Sequence, residues 1–158
     1  MPVVTLETPI AAPPGIVFDL ARSIDLHKIS TVHTNEEAVA GKTTGLIAMD
    51  ESVTWRAKHF GITQNLTSKI TQYNRPHSFI DEMVKGSFKS FRHRHFFTCE
   101  GDITTMTDVF KYQSPLGILG KAADALFLKR YMQKLLIKRN RIIKQFAEGE
   151  VLYNQVLT

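Results

Sequence analysis

The chain has 158 residues, 43% hydrophobic and 22% charged, with a formal charge of +5 at pH 7. That balance excludes a disordered chain, and the length suits one domain, residues 1–158, burying roughly two thirds of its unfolded surface. No run approaches the ~20 apolar residues of a membrane span, the N-terminus lacks a signal-peptide pattern and Cys99 stands alone, so a cytoplasmic protein without internal disulfides is expected.

Val3 to Ile10 reads as a strand, with Val4 and Leu6 alternating against Thr5 and Glu7. Pro13-Pro14-Gly15 opens a short helix whose apolar face holds Val17, Leu20 and Ala21. Ser23 suits the N-cap of a second short helix, to about Lys28. Six strand-like segments follow, at Glu36–Ala40, Leu46–Phe60, Ile62–Tyr73, His77–Lys85, Ser90–Thr98 and Ile103–Tyr112, the second pairing from about Asp50 onward. Turn residues separate them, as in Asn74-Arg75-Pro76 and Glu100-Gly101-Asp102.

After Ser114-Pro115 the spacing predicts a helix of roughly thirty residues. Leu128, Met132, Leu135, Leu136, Ile142, Ile143 and Phe146 form its apolar stripe, while Leu116, Leu119, Ala123 and Leu126 fall on a different face. A bend or a change of packing partner is expected near Phe127, where the stripe rotates. Arg139 lies inside the stripe and is expected to snorkel to solvent. The order of elements makes an α+β domain, a strongly curved antiparallel sheet wrapped around a long C-terminal helix, with two short helices after the first strand. One helix does not fill the concave side of such a sheet, and a cavity is expected between them.

Alternation along the strands locates the chemistry. Residues two apart share a strand face. Phe91, His93, His95 and Phe97 therefore share one face, and Arg92 and Arg94 mark the other as solvated. Asp81 falls on the same face as Phe79 and Met83, and Asp108 on that of Met106, Phe110 and Tyr112. A packed core rejects so many ionisable groups unless they are paired, whereas a cavity accepts them. On the preceding strand Trp55 and His59 share a face and suit a cavity wall for an amphipathic ligand.

Several motifs carry a family likeness. They are Thr54-Trp55-Arg56-Ala57-Lys58-His59-Phe60-Gly61, Phe79-Ile80-Asp81-Glu82, Gly86-Ser87-Phe88, His93-Arg94-His95, Gly101 with Thr104 or Thr105, Asp108, Tyr112 and Pro115-Leu116-Gly117. With this order of elements the chain resembles the START-like, or Bet v 1-like, helix-grip superfamily, and within it the bacterial ligand-binding, polyketide cyclase/dehydrase-type branch. Gly86-Ser87-Phe88 and Phe91 stand where relatives often have Gly-Pro-Phe and Trp, conservative departures. The resemblance implies a hydrophobic-ligand cavity and carries no agreed reaction.

The expected function is a soluble binding protein for a hydrophobic or amphipathic molecule, such as a lipid, polyketide or quinone-like compound. Trp55, His59, Asp81, Met83, His93, His95, Phe97, Met106, Asp108, Phe110 and Tyr112 are its candidate ligand-binding residues. An alternative is an aromatase/cyclase or dehydratase-type enzyme with an inner histidine as general base, its candidates His93, His95, Asp108 and Tyr112. His93 and His95 can also share a metal completed by His59 or Asp108, but no cysteine or paired carboxylate adds to the set and the neighbours are aromatic, which favours no metal and no cofactor. Leu116 to Glu148 carries eight basic residues against two acidic ones, a solvated helix face or, as a third possibility, a docking surface for a partner or for anionic lipid at the membrane periphery; no nucleic-acid partner is expected.

Overall fold

The computed structural model describes residues 1–115, 117–123 and 127–149. Strand β1 (Val3–Ile10) is followed by helices α1 (Pro14–Ala21) and α2 (Ile24–Ser30) and a single 3₁₀ turn at Val32–Thr34. Then come β2 (Glu37–Gly41), β3 (Ser52–His59), β4 (Ile62–Asn74), β5 (Ser78–Lys85), β6 (Ser90–Glu100) and β7 (Ile103–Gln113). Helices α3 (Gly117–Ala123) and α4 (Lys129–Ala147) complete the described chain.

All seven strands form one antiparallel sheet in the order β1-β7-β6-β5-β4-β3-β2. The first strand thus pairs with the last, Val4 opposite Phe110 and Leu6 opposite Asp108. Register shifts in β4, at Thr67/Ser68 and Ile70/Gln72, are bulges that bend the strand and raise its twist, which curves the sheet into a bowl. The tight exit from β2 depends on Gly41, whose φ is +72° and where any side chain would collide with the Ser52 carbonyl.

The short helices form where their caps allow. Pro14 opens α1, and Val17, Phe18 and Leu20 turn inward from it. Phe18 meets Tyr73, Phe79 and Phe97 with ring centroids 5.2–5.3 Å apart. Ser23 caps α2 by accepting the Leu26 N–H at 3.1 Å, and this helix runs two residues beyond the expected Lys28. The expected strand from Leu46 is shorter, because Leu46 makes only an isolated bridge to Ser23 before β3 begins at Ser52.

Helix α4 lies in the bowl against β1, α1 and α2. Its stripe does two jobs: Leu136, Ile143 and Phe146 are buried, while Leu128, Met132 and Leu135 are half-buried over open space. The rotation of the stripe near Phe127 coincides with a π-helical turn at Phe127–Leu128. Leu119 does not pack as expected. It is 74% exposed, beside Ile118 at 86%, because α3 makes no extensive contact with the sheet. Leu116 and Leu126 lie outside the described residues.

A carboxylate ties α1 to the β4–β5 turn. Asp19 accepts Arg75 Nε at 3.1 Å and Nη2 at 2.7 Å, and Arg22 Nε at 2.9 Å. Burial works to raise the Asp19 pKa, but the bonds from Arg75 and Arg22 outweigh it and hold it below the usual 3.8. A depressed carboxyl stabilises the fold above its unfolded pKa and loses that contribution as pH falls through its folded value. Asp19→Asn is expected to cost about 1–2 kcal/mol at neutral pH. Urea midpoints at neutral pH and below about pH 3 check this, since the gap between variant and wild type should close in acid.

Candidate functional site

The register of three strands builds the site. Asp81 on β5 stands opposite His93 on β6, and Phe79 opposite His95, which in turn faces Asp108 on β7. Two carboxylates and two imidazoles are thereby set at the corners of a quadrilateral on the concave face. Hydrogen bonds run slantwise between neighbouring strands: His93 Nε2 donates to Asp108 Oδ1 at 2.8 Å, and His95 Nε2 to Asp81 Oδ1 at 3.0 Å. The directly opposed pairs are also close. His95 Nδ1 is 3.0 Å from Asp108 Oδ1, at an angle that makes no hydrogen bond, and His93 Nδ1 is 3.9 Å from Asp81 Oδ1. Phe79 stacks on His95 at 4.1 Å, and the two imidazole centroids are 3.8 Å apart.

Face parity works here as the alternation requires. His93 and His95 are 7% and 2% exposed and Asp108 is fully buried, while Arg92, Arg94 and Lys111 are exposed on the convex side.

Helix α4 caps the quartet. Asn140 Nδ2 donates to Asp108 Oδ2 at 2.6 Å and to Thr8 Oγ1 at 3.2 Å. Arg139 does not snorkel. It is 8% exposed, with Nη1 3.5 Å from Asp108 Oδ1 and 3.1 Å from Asn140 Oδ1, and Nη2 donates to the Ala21 carbonyl at 2.9 Å. A buried carboxylate within reach outweighs solvent for this guanidinium, because Asp108 would otherwise be left charged with too few partners.

The electrostatics divide the two histidines. Burial and the neighbouring charge of His95 push the His93 pKa down, against the pull of Asp108. For His95 burial acts downward too, but the contacts with Asp108 and Asp81 outweigh it and the pKa is raised. Burial would raise both carboxyls, yet the histidine contacts hold Asp81 below and Asp108 well below the usual 3.8. The two carboxylates are thus held in their charged form, and His95 keeps a proton more readily than His93. A neutral His93 that donates from Nε2 keeps its Nδ1 lone pair free of a proton.

A cavity of about 670 Å³ opens in front of this wall, between the sheet, α2 and the first half of α4. Asp81, His93, His95 and Arg139 are its polar patch on the β5–β6 side. Most of the remaining surface is apolar, with Val53, Ala57, Leu66 and Phe110 from the sheet and Met132 and Leu135 from the helix. A second polar group lies near the β3–β4 hairpin. His27 Nε2 is 2.9 Å from Glu36 Oε1, the His27 ring lies 4.2 Å from Trp55, and His59 Nδ1 is 2.6 Å from the Tyr131 hydroxyl. Burial would raise the Glu36 pKa, but His27 lowers it overall; burial lowers that of His59 and raises that of Tyr131.

Of the residues singled out from sequence, Trp55, His59, Asp81, His93, His95 and Phe110 line this cavity. The others stand behind its wall. Phe97 and Met106 pack in the larger apolar cluster, Tyr112 is fully buried in the smaller one, Met83 packs against that cluster, and Asp108 lies beneath the histidines. Arg139, Asn140, His27, Glu36 and Tyr131 join the polar groups without having been singled out as site residues. Asn140 carried a usable signal, since it falls at helical spacing between Leu136 and Ile143. His27 and Glu36 carried none, because a loop and a 3₁₀ turn bring them together.

No family model and no curated protein matches the sequence. Solved structures do resemble the fold. A Thermus thermophilus protein, TTHA0849, is 19% identical with a TM-score of 0.70, over 90% of this chain and 97% of that one. The major latex-like protein 151 of Panax ginseng is 16% identical with a TM-score of 0.67, over 92% and 97% of the two chains. A START superfamily protein of Mycobacterium smegmatis is 10% identical with a TM-score of 0.70, over 94% and 99%. This chain has the helix-grip fold of START-like and Bet v 1-like proteins. At these identities the likeness is one of fold.

Asp108 is the residue on which the quartet turns. Asp108→Ala leaves His93 and Asn140 without their acceptor and His95 and Arg139 without a nearby carboxylate, and is expected to cost about 3–5 kcal/mol. Glu82→Ala, which removes the exposed partner of Arg92 at 3.3 Å, is expected to cost less than about 1 kcal/mol. Urea unfolding of both variants measures the contrast. The same constraint applies to His95→Leu, which takes from Asp81 the hydrogen bond at 3.0 Å and from Asp108 a charge contact at 3.0 Å.

Proposed function

We propose that this chain, folding as a single domain, is a binding protein that holds one apolar or amphipathic small molecule between the sheet and α4. A lipid, a polyketide or a quinone-like compound has the required chemistry: an extended apolar body and a hydrogen-bonding head. The observation that carries this reading is the 670 Å³ cavity, apolar over most of its surface and polar at the Asp81–His93–His95–Arg139 wall. Ligand sites run from about 300 to 1,000 Å³ and combine apolar walls with a few placed polar groups. Apolar contact supplies affinity, and the wall orients the head. The motif pattern around His93-Arg94-His95 supports the polyketide cyclase/dehydrase-type branch as the nearest group of binders. The exposed thiol of Cys99 suits a reducing cytoplasm.

Two measurements test it. Native mass spectrometry of protein from its own source, followed by solvent extraction, should return a small apolar molecule in about one copy per chain. Anilinonaphthalenesulfonate should bind saturably, and Ala57→Trp, which fills the apolar wall from β3, should weaken the dye by about tenfold or more while the far-ultraviolet circular dichroism stays unchanged. Attraction to the basic face of α4 would fade between about 50 and 200 mM salt, whereas cavity binding should hold. Dye affinity indifferent to Ala57→Trp, with no molecule recovered, overturns the proposal.

A further inference from the structure

The corner of the quartet that faces the cavity has the geometry of a metal site. Asp81 Oδ1 lies 3.0 Å from His95 Nε2 and 3.9 Å from His93 Nδ1, and the donor atoms of these three residues all fall within 4.8 Å of one another. A divalent transition metal binds imidazole nitrogen and carboxylate oxygen at about 2.0–2.2 Å, which sets tetrahedral donors roughly 3.4 Å apart. Side-chain adjustments of well under 1 Å to about 1.5 Å bring the three atoms to that spacing. Adjacent strands hold all three residues, so their backbones need not move.

We propose that Asp81, His93 and His95 bind one divalent transition metal, with the remaining coordination positions open to the cavity. Two imidazoles and one carboxylate on one face of the ion, with an open side, is the donor set that suits Zn(II) and Fe(II). Asp81 supplies the third donor, in place of the His59 or Asp108 weighed from sequence. His59 belongs to the other polar group, paired with Tyr131. Asp108 takes the supporting role for His93, accepting at 2.8 Å from Nε2, the nitrogen turned away from Asp81; its Oδ1 also lies 3.0 Å from His95 Nδ1, a charge contact without hydrogen-bond geometry. Metal-binding histidines almost always have such an outer partner, which fixes the ring and raises its basicity. Asp108 is itself held by Asn140 at 2.6 Å and is fully buried, so the outer shell is rigid.

The charges also fit. Binding through His95 Nε2 needs that nitrogen free of a proton, so any proton held between His95 and Asp81 leaves to solvent. Two carboxylates and Arg139 then leave the metal one positive charge in excess, and an anionic oxygen in the cavity would neutralise it. The site shares a wall with the proposed ligand cavity but does not depend on an organic ligand.

Zn(II) titration of the purified full-length chain against a chromophoric chelator tests the site. One Zn(II) per chain is expected, with affinity reduced about 10–100-fold by Asp108→Asn and by at least as much in Asp81→Asn and His93→Gln. His33→Ala, at an exposed histidine outside the cavity, should bind as wild type. The fold of each variant is checked by circular dichroism, and ring resonances of the labelled wild-type histidines give a readout that needs no variant. Zn(II) should move the signals of His93 and His95 and leave those of His27, His33, His59 and His77 in place. Absence of stoichiometric binding to the folded chain overturns the proposal, as does binding that shifts other histidines or survives Asp81→Asn and His93→Gln unchanged. Dye uptake by a chain that binds no Zn(II) would refute the metal site and leave the ligand cavity standing; the converse result would do the reverse.

Discussion

Two carboxylates and two imidazoles sit at the centre of a sheet whose neighbours are phenylalanines, and they are tolerated only because they neutralise one another. Desolvation costs several kcal/mol per ion, so each group must find its opposite within hydrogen-bonding reach. Three strands meet part of that demand through register alone. The rest falls on α4, whose Arg139 and Asn140 reach Asp108. This keys the helix to the sheet. A slip of one turn would set Leu136 or Ile143 over Asp108 and leave its carboxylate short of partners, a penalty that apolar contact does not specify. Apolar surfaces slide; a buried carboxylate does not.

The same quartet divides the apolar interior. On one side lies the larger cluster around Phe18, Phe79, Phe97, Met106 and Ile143, and on the other the smaller one around Val4, Phe91, Phe110, Tyr112 and Leu136. The second half of α4 closes onto β1, α1 and α2 and is anchored there. Its first half, with Leu128, Met132 and Leu135, stands away from β3–β6 and leaves the cavity. A rigid anchor at one end and an open space at the other follow from one helix carrying two different faces. The exposed Ile118, Leu119, Phe127, Phe60 and Ile62 belong to the open end or to the hairpin beside it.

How much of this was written in the sequence depends on the element. Strand parity was fully legible, because a one-residue slip would have buried Arg92 and Arg94 and exposed Phe91 and Phe97 together. The helix-grip layout was legible from element order and from the stripe of the last helix. Arg139 was not. A cation inside an apolar stripe looks the same whether it snorkels or finds a buried partner, and Asp108 lies 31 positions away in sequence on a strand that only the fold brings near. The division of the candidate residues between cavity wall and core was also hidden. His95 and Phe97 share a strand face, yet one lines the cavity and the other packs against Phe18, because α1 covers only one end of the bowl. The bulges in β4 left no mark in residue type, since Thr67, Ser68 and Thr71 suit a regular strand equally well.

The pairing of β1 with β7 carries a consequence for how the molecule assembles. Val3 lies beside Lys111, so β1 has no neighbour in the sheet until β7 has been made. Closing so long a loop is entropically costly and slow compared with forming the β3–β4 hairpin, whose strands meet across a two-residue turn. The meander from β2 to β7 grows hairpin by hairpin, and β1 docks only afterwards. α4 packs on β1, α1 and α2, so it waits for that docking. Until α4 docks, Asp108 lacks the Asn140 and Arg139 contacts that the closed bowl gives it.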